Sequence, residues 1–156
     1  MNRINLKTVI KAPIERCFDL STSIDLHKLS ASKTKEEAIS GITSGIIKLG
    51  ETVTWRAKHF GVWYKMKVKI IELEKPKYFV DEMLEGPFKY MKHKHEFIFK
   101  ENQTIMNDQF EFSSPYGFIG KLVDNLILKR YMTKFLIERN KIIKDFAESD
   151  KWKEVL

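Results

Sequence analysis

Two histidines stand two residues apart in KYMKHKHEFIFK, residues 89–100, where polar and apolar side chains alternate. Lys92, Lys94 and Glu96 share one parity, while Met91, His93, His95, Phe97 and Phe99 share the other. Side chains along a strand point to opposite faces with a period of two. The lysines therefore face outward and both imidazoles face inward among apolar neighbours. An imidazole beside a carboxylate is acid–base equipment, and two on one strand face can ligate a metal. Burying either unpaired costs about 2–7 kcal/mol, so each needs a partner.

The next stretch supplies one. If ENQ, residues 101–103, closes a tight hairpin, Phe99 lies opposite Thr104 and Phe97 opposite Met106. His95 then faces Asp108, and His93 faces Phe110. A slip of one residue would bury Asn107 and Gln109, so the hydrophobic pattern fixes this register. The expectation is that Asp108 holds His95 while His93 is freer. His59 immediately precedes a Phe60-Gly61 turn, and Asp81 and Glu82 precede a Gly86-Pro87 turn. In an antiparallel meander these turns share an end, which the SSPYG loop (113–117) also reaches. Counting from Pro76 puts Phe79, Asp81 and Met83 inside; counting from Gly86-Pro87 puts Val80, Glu82 and Leu84 inside. A bulge between the turns reconciles the two counts, with Asp81 the preferred inward acid. His27 faces either this end or solvent.

These groups allow three chemistries. A satisfied polar lining would hydrogen-bond the polar end of a ligand. General acid–base catalysis would draw on His93, His95, Asp108 and His59. A Zn²⁺ site would use the His-x-His pair with Asp108 or His59, but spacing alone does not distinguish it from a structural pair, and neither metal nor cofactor is expected. No nucleophile is evident: Cys17 is far along the chain, and no serine sits in an elbow motif.

The positioning elements follow from periodicity. NLKTVI is a strand, which Ala12-Pro13 ends; Pro13 suits the first turn of a short helix through Leu20. STSIDLHKLS caps a second short helix. EEAISGI is a strand, ETVTWRAKHFGVWYKMKVKIIEL a hairpin about Phe60-Gly61, and YFVDEML a further strand before the His93 hairpin. From Tyr116 to Ala147 apolar residues recur at three- and four-residue steps, the pattern of a long amphipathic helix burying Leu126 and Phe135. An antiparallel sheet with one apolar face needs a cover, and this helix alone is large enough.

With 156 residues the chain suits one domain with a real core, residues 1–148, followed by a tail, 149–156. The N-terminus has no secretory h-region and no apolar run spans a bilayer, so a cytoplasmic protein without membrane insertion is expected. A lone Cys17 fits a reducing compartment and packs as a small hydrophobe. The net charge of +7 raises nucleic acid or anionic headgroups as partners. The charge is scattered lysine, however, densest at Lys65, Lys67 and Lys69 on the outer face of a strand, and no nucleic-acid-binding signature accompanies it.

The element order and the stretches VIKAPIERCFDL, HKLSASKTKEEAISGITSGIIKLGETVTWRAKHFG, FVDEMLEGPFKYMKHKHEF and SPYGFIGKLVDNLILKRYMTKFLIERN resemble the START-like, or SRPBCC, superfamily. Within it they resemble a bacterial branch of polyketide cyclase/dehydrase-like proteins. The resemblance covers nearly the whole chain. It implies an α+β helix-grip fold: a seven-stranded antiparallel sheet around a long C-terminal helix, two short helices after the first strand, and a cavity between sheet and helix. The expected function is binding of a hydrophobic or amphipathic small molecule, lipid-, polyketide- or isoprenoid-like, by a monomer or weak homodimer. The expected lining is Trp55, Tyr64, Met66, Met83, Met91, Phe97, Phe110 and Phe112, with His59, Asp81, His93, His95 and Asp108 as polar groups. The alternatives are a cyclase/dehydratase-type enzyme on the same residues and a basic surface module.

Overall fold

The computed structural model describes residues 1–114 and 124–156. Strand β1 (Asn2–Ile10) leads into α1 (Ile14–Thr22) and α2 (Ile24–Ser30). Strands β2 (Glu37–Gly41), β3 (Thr52–His59), β4 (Val62–Glu74), β5 (Tyr78–Glu85), β6 (Tyr90–Lys100) and β7 (Gln103–Ser113) follow. A π-type turn over Asp124–Leu128 then enters the long helix α3 (Lys129–Ala147). All seven strands form one sheet in the order β1-β7-β6-β5-β4-β3-β2, and every pairing is antiparallel. This is the expected meander, with β1 closing on β7.

Turn chemistry fixes the registers that matter. Phe60 and Gly61 both adopt positive φ, 53° and 77°, as do Glu101 and Asn102 at 55° and 61°. Paired left-handed residues match the twist of the flanking strands in a two-residue hairpin. The second turn sets His95 opposite Asp108 and His93 opposite Phe110, the register read from the hydrophobic pattern. Between β4 and β5 the register shifts at Lys67 and Val68, which pair with Glu85 and Met83 and leave Leu84 as an extra residue on β5. That extra residue reconciles the two turn counts, and Asp81 lies opposite His93 on the inner face.

Helix α3 lies across the inner face of the sheet, and its buried stripe is Leu136, Arg139, Asn140, Ile143 and Ala147. The spacing of three and four residues is that of one helix face, but two of the five side chains are polar. Lys144 Nζ donates to the Val9 carbonyl at 2.6 Å, and Arg16 donates to the Ala147 carbonyl at 3.0 Å. These bonds dock the C-terminal end of α3 on β1 and α1.

Two helix expectations are corrected. The α-helix begins at Lys129, and residues 116–123 of the expected span lie outside the described residues. Leu126 is 62% exposed, because the wider π-type turn takes it off the face that Leu136 and Ile143 continue. Phe135 is partly buried and packs on the core. Residues 149–156, expected as a tail, include a short 3₁₀ turn (Asp150–Glu154) whose Trp152 packs against the core beneath Arg16, 4.4 Å from guanidinium to ring. No helix among the described residues is long and apolar enough to cross a membrane.

Candidate functional site

A cavity of about 370 Å³ lies between the inner face of the sheet and α3. Trp55, His59, Tyr64, Met66, Asp81, Met91, His93, His95 and Phe110 line it, as the sequence parities required. Lys65, Lys67 and Lys69 have the opposite parity on β4 and point away. Four expected lining residues stand elsewhere. Phe97 is wedged against Phe18 and Phe79, with ring centroids 5.4 and 6.3 Å away. Phe112 packs between Phe88 and Phe110. Met83 lays its thioether over Gly86. Asp108 sits behind the histidines, where Arg139 and Asn140 cover it.

The polar end of the cavity is one connected network. His93 Nε2–H donates to Asp108 Oδ1 at 2.7 Å, and His95 Nε2–H donates to Asp81 Oδ2 at 2.8 Å. The pairing expected for His95 is therefore corrected: Asp108 takes His93, and Asp81 takes His95. Cross-strand register brings His95 and Asp108 opposite each other, yet His95 Nδ1 is 3.3 Å from Asp108 Oδ1. That contact is an ion-pair distance and not a hydrogen bond, so among the described residues Nδ1 is buried without a hydrogen-bond partner. The ring turns its Nε2 to Asp81 instead, stacked between Phe79 at 4.1 Å and His93 at 3.7 Å. His93 is likewise not free at the cavity mouth, since it is buried within this network.

Asp108 is the hub. Its Oδ1 also accepts from Arg139 at 3.0 Å, and its Oδ2 accepts from Asn140 Nδ2 at 2.6 Å. Burial alone would raise its pKa. Arg139 first, then His93 and His95, outweigh that and hold the carboxyl well below the usual range. Burial alone would raise Asp81 as well, but the hydrogen bond from His95 and the nearby histidines and Arg139 outweigh it and lower its pKa. Burial pushes His93 down to about 4, reinforced by the neighbouring His95 and only partly opposed by Asp108. At neutral pH the hub is thus a carboxylate–guanidinium pair with a neutral His93 bonded to it.

A second polar group lies toward the two turns. His59 Nδ1 and the Tyr131 hydroxyl share a hydrogen bond of 2.6 Å, and Phe60 stacks on Tyr131 at 4.5 Å. Burial lowers the His59 pKa and raises that of Tyr131, so both are neutral at pH 7. His27 faces the cavity: its ring stacks on Trp55 at 4.1 Å, and its Nε2–H donates to Glu36 at 2.8 Å.

Sequence reasoning missed Glu36, Tyr131, Arg139 and Asn140. For Arg139 and Asn140 a signal existed, because both occupy positions that the α3 periodicity reserves for apolar residues. A charged residue in that stripe must meet a buried counter-charge, and Asp108 was already placed inside. Glu36 and Tyr131 carried no such signal, since a loop acid and a helix tyrosine are ordinary on a surface.

No family model matches the chain, and no curated protein matches it. Solved structures do. TTHA0849 from Thermus thermophilus is 15% identical, with 91% of this chain and 97% of that one covered at a TM-score of 0.71. Ginseng major latex-like protein 151 from Panax ginseng is 13% identical, with 95% and 98% covered and a TM-score of 0.70. A START superfamily protein from Mycobacterium smegmatis is 9% identical, with 94% and 97% covered and a TM-score of 0.71. At such identities the likeness is one of fold. The sheet order, the paired short helices after β1, the C-terminal helix and these neighbours together give the chain the START-like helix-grip fold.

Proposed function

We propose that this protein binds a hydrophobic or amphipathic small molecule, lipid-, polyketide- or isoprenoid-like, between the sheet and α3. The observation that carries this is the cavity itself. Its volume of about 370 Å³ falls in the range of small-molecule sites, roughly 300–1,000 Å³. Its lining combines apolar walls (Val53, Trp55, Val68, Ile70, Phe135) with polar groups gathered at Asp81, His93 and Arg139. Apolar walls favour burial of a hydrocarbon body at about 25 cal/mol per Å² removed from water. Fixed polar groups at one end would orient a hydroxyl or carbonyl, which discriminates more sharply than shape alone.

Native mass spectrometry of freshly purified protein would identify a retained ligand class. In parallel, the metal-free protein is titrated with a long-chain fatty acid, a farnesyl alcohol and a polyphenolic polyketide, read by Trp55 fluorescence. Met132, on the α3 wall of the cavity, is replaced by Trp to fill it. The expected result is micromolar or tighter binding of at least one class, abolished in Met132→Trp with the fold intact. Binding that survives the filled cavity, or no binding in any class, would sink the proposal.

A further inference from the structure

One ring nitrogen of His93, one of His95 and a carboxylate oxygen of Asp81 lie within 4.8 Å of one another. We propose that these three residues bind a divalent transition-metal ion, with Asp108 orienting both imidazoles from behind. The site shares the cavity but does not depend on any organic ligand there.

The donor set selects the ion. Two imidazole nitrogens and one carboxylate suit zinc, iron, cobalt or nickel, whereas calcium and magnesium prefer all-oxygen shells. The sequence offered Asp108 or His59 as third ligand, and the geometry reassigns that place to Asp81. Asp108 is committed to Arg139 and Asn140, and His59 is bonded to Tyr131. All three proposed ligands line the cavity, so the remaining coordination positions face its interior. Asp81 keeps 17% of its side-chain surface, and that surface opens on the cavity.

The surroundings match what a metal-bound histidine needs. A ligating imidazole characteristically gives its other N–H to a carboxylate. Asp108 Oδ1 stands 2.7 Å from His93 Nε2 and 3.3 Å from His95 Nδ1. Without metal, His95 gives its Nε2–H to Asp81 and leaves Nδ1 buried with no hydrogen-bond partner among the described residues. Metal binding at Nε2 resolves this. The Nε2 proton is replaced by the ion, Nδ1 carries the proton toward Asp108, and Asp81 turns from hydrogen-bond acceptor to ligand. The ring keeps one proton throughout, so no other group need take it up.

Charge and rigidity point the same way. Among the described residues of this network, Asp81 and Asp108 are two carboxylates against the single guanidinium of Arg139, an excess of one carboxylate. A dication meets that excess. The rings are held before the ion arrives, stacked on each other and on Phe79, and Asp108 is clamped by Arg139 and Asn140.

The test is a titration of full-length, chelator-treated protein with Zn²⁺ against a chromophoric chelator, with Mg²⁺ as competitor. One equivalent bound at submicromolar Kd, unaffected by millimolar Mg²⁺, is expected. Asp81→Asn and His95→Gln should each weaken binding by about 100-fold or more. Glu82→Gln, one residue along β5 on the opposite parity, should bind as wild type does. If either site variant fails to fold, ¹⁵N NMR of the wild-type imidazoles decides. Zinc should move the His95 proton from Nε2 to Nδ1. No stoichiometric zinc, equal binding in the site variants, or an unchanged His95 tautomer in the zinc-bound protein each overturns the proposal. Because small-molecule probes are measured on metal-free protein, either result stands without the other.

Discussion

Replacing Asp108 by Asn changes one atom and removes one charge at the centre of the buried network. Oδ1 accepts from His93 and Arg139, and Oδ2 accepts from Asn140. An asparagine amide nitrogen at the Oδ2 position meets the Asn140 NH₂ group; at the Oδ1 position it meets the His93 N–H and the guanidinium. In either orientation donor faces donor. Arg139 is also left buried without its carboxylate, facing at best a neutral amide oxygen in its place beside Asn140 Oδ1, at 2.9 and 3.2 Å. A histidine–aspartate pair alone would set the loss at about 1–3 kcal/mol. Stranding a buried cation raises it to about 3–5 kcal/mol. Domains of this kind are stable by only about 5–15 kcal/mol, so the variant should unfold at a visibly lower urea midpoint. Adding Arg139→Met removes the stranded charge and should restore part of the loss. A single variant within about 1 kcal/mol of wild type, or a double variant less stable than the single, would refute the argument that Asp108 is held chiefly as the counter-ion of Arg139.

Stability should also depend on pH in two stages. His93 falls from its ordinary 6.5 to about 4 in the fold, so between those values the unfolded chain binds a proton that the folded protein excludes. The His93 contribution is complete above pH 6.5 and diminishes by about 3 kcal/mol as pH falls toward 4. Asp108 and Asp81, both held below the usual carboxylate value, add a second loss below pH 4 as they protonate. Urea midpoints that stay flat from pH 7.5 to 4.5 would contradict the first stage; His93→Gln should flatten that limb. On α3, Ile143→Ala should cost about 2–5 kcal/mol, since Ile143 is buried in the core. Leu126→Ala, at an exposed position, should cost within about 0.5 kcal/mol, and equal losses in thermal melts would show the stripe misassigned.

Much of the fold was legible because strand and helix periods, turn residues and the need to bury one sheet face all act locally or through simple parity. The turn at Glu101-Asn102 and the alternation around His93 together dictated that His95 faces Asp108, and they do face each other. What the sequence by itself determined was therefore the architecture, the inward parity of both histidines, and the strands that bring His93, His95 and Asp108 together. Register places Cα atoms, however, and does not say which way a ring turns. His95 bonds Asp81 on the adjacent strand because stacking between Phe79 and His93 aims its Nε2 there, and that depends on side-chain packing within and between two strands. Arg139 and Asn140 reach Asp108 from a helix 31 and 32 residues later in the chain, at 3.0 and 2.6 Å. No local rule couples a strand to a distant helix face. Only the docking of α3 on the sheet decided that the buried aspartate has a cationic partner, and with it how strongly the polar end of the cavity is held.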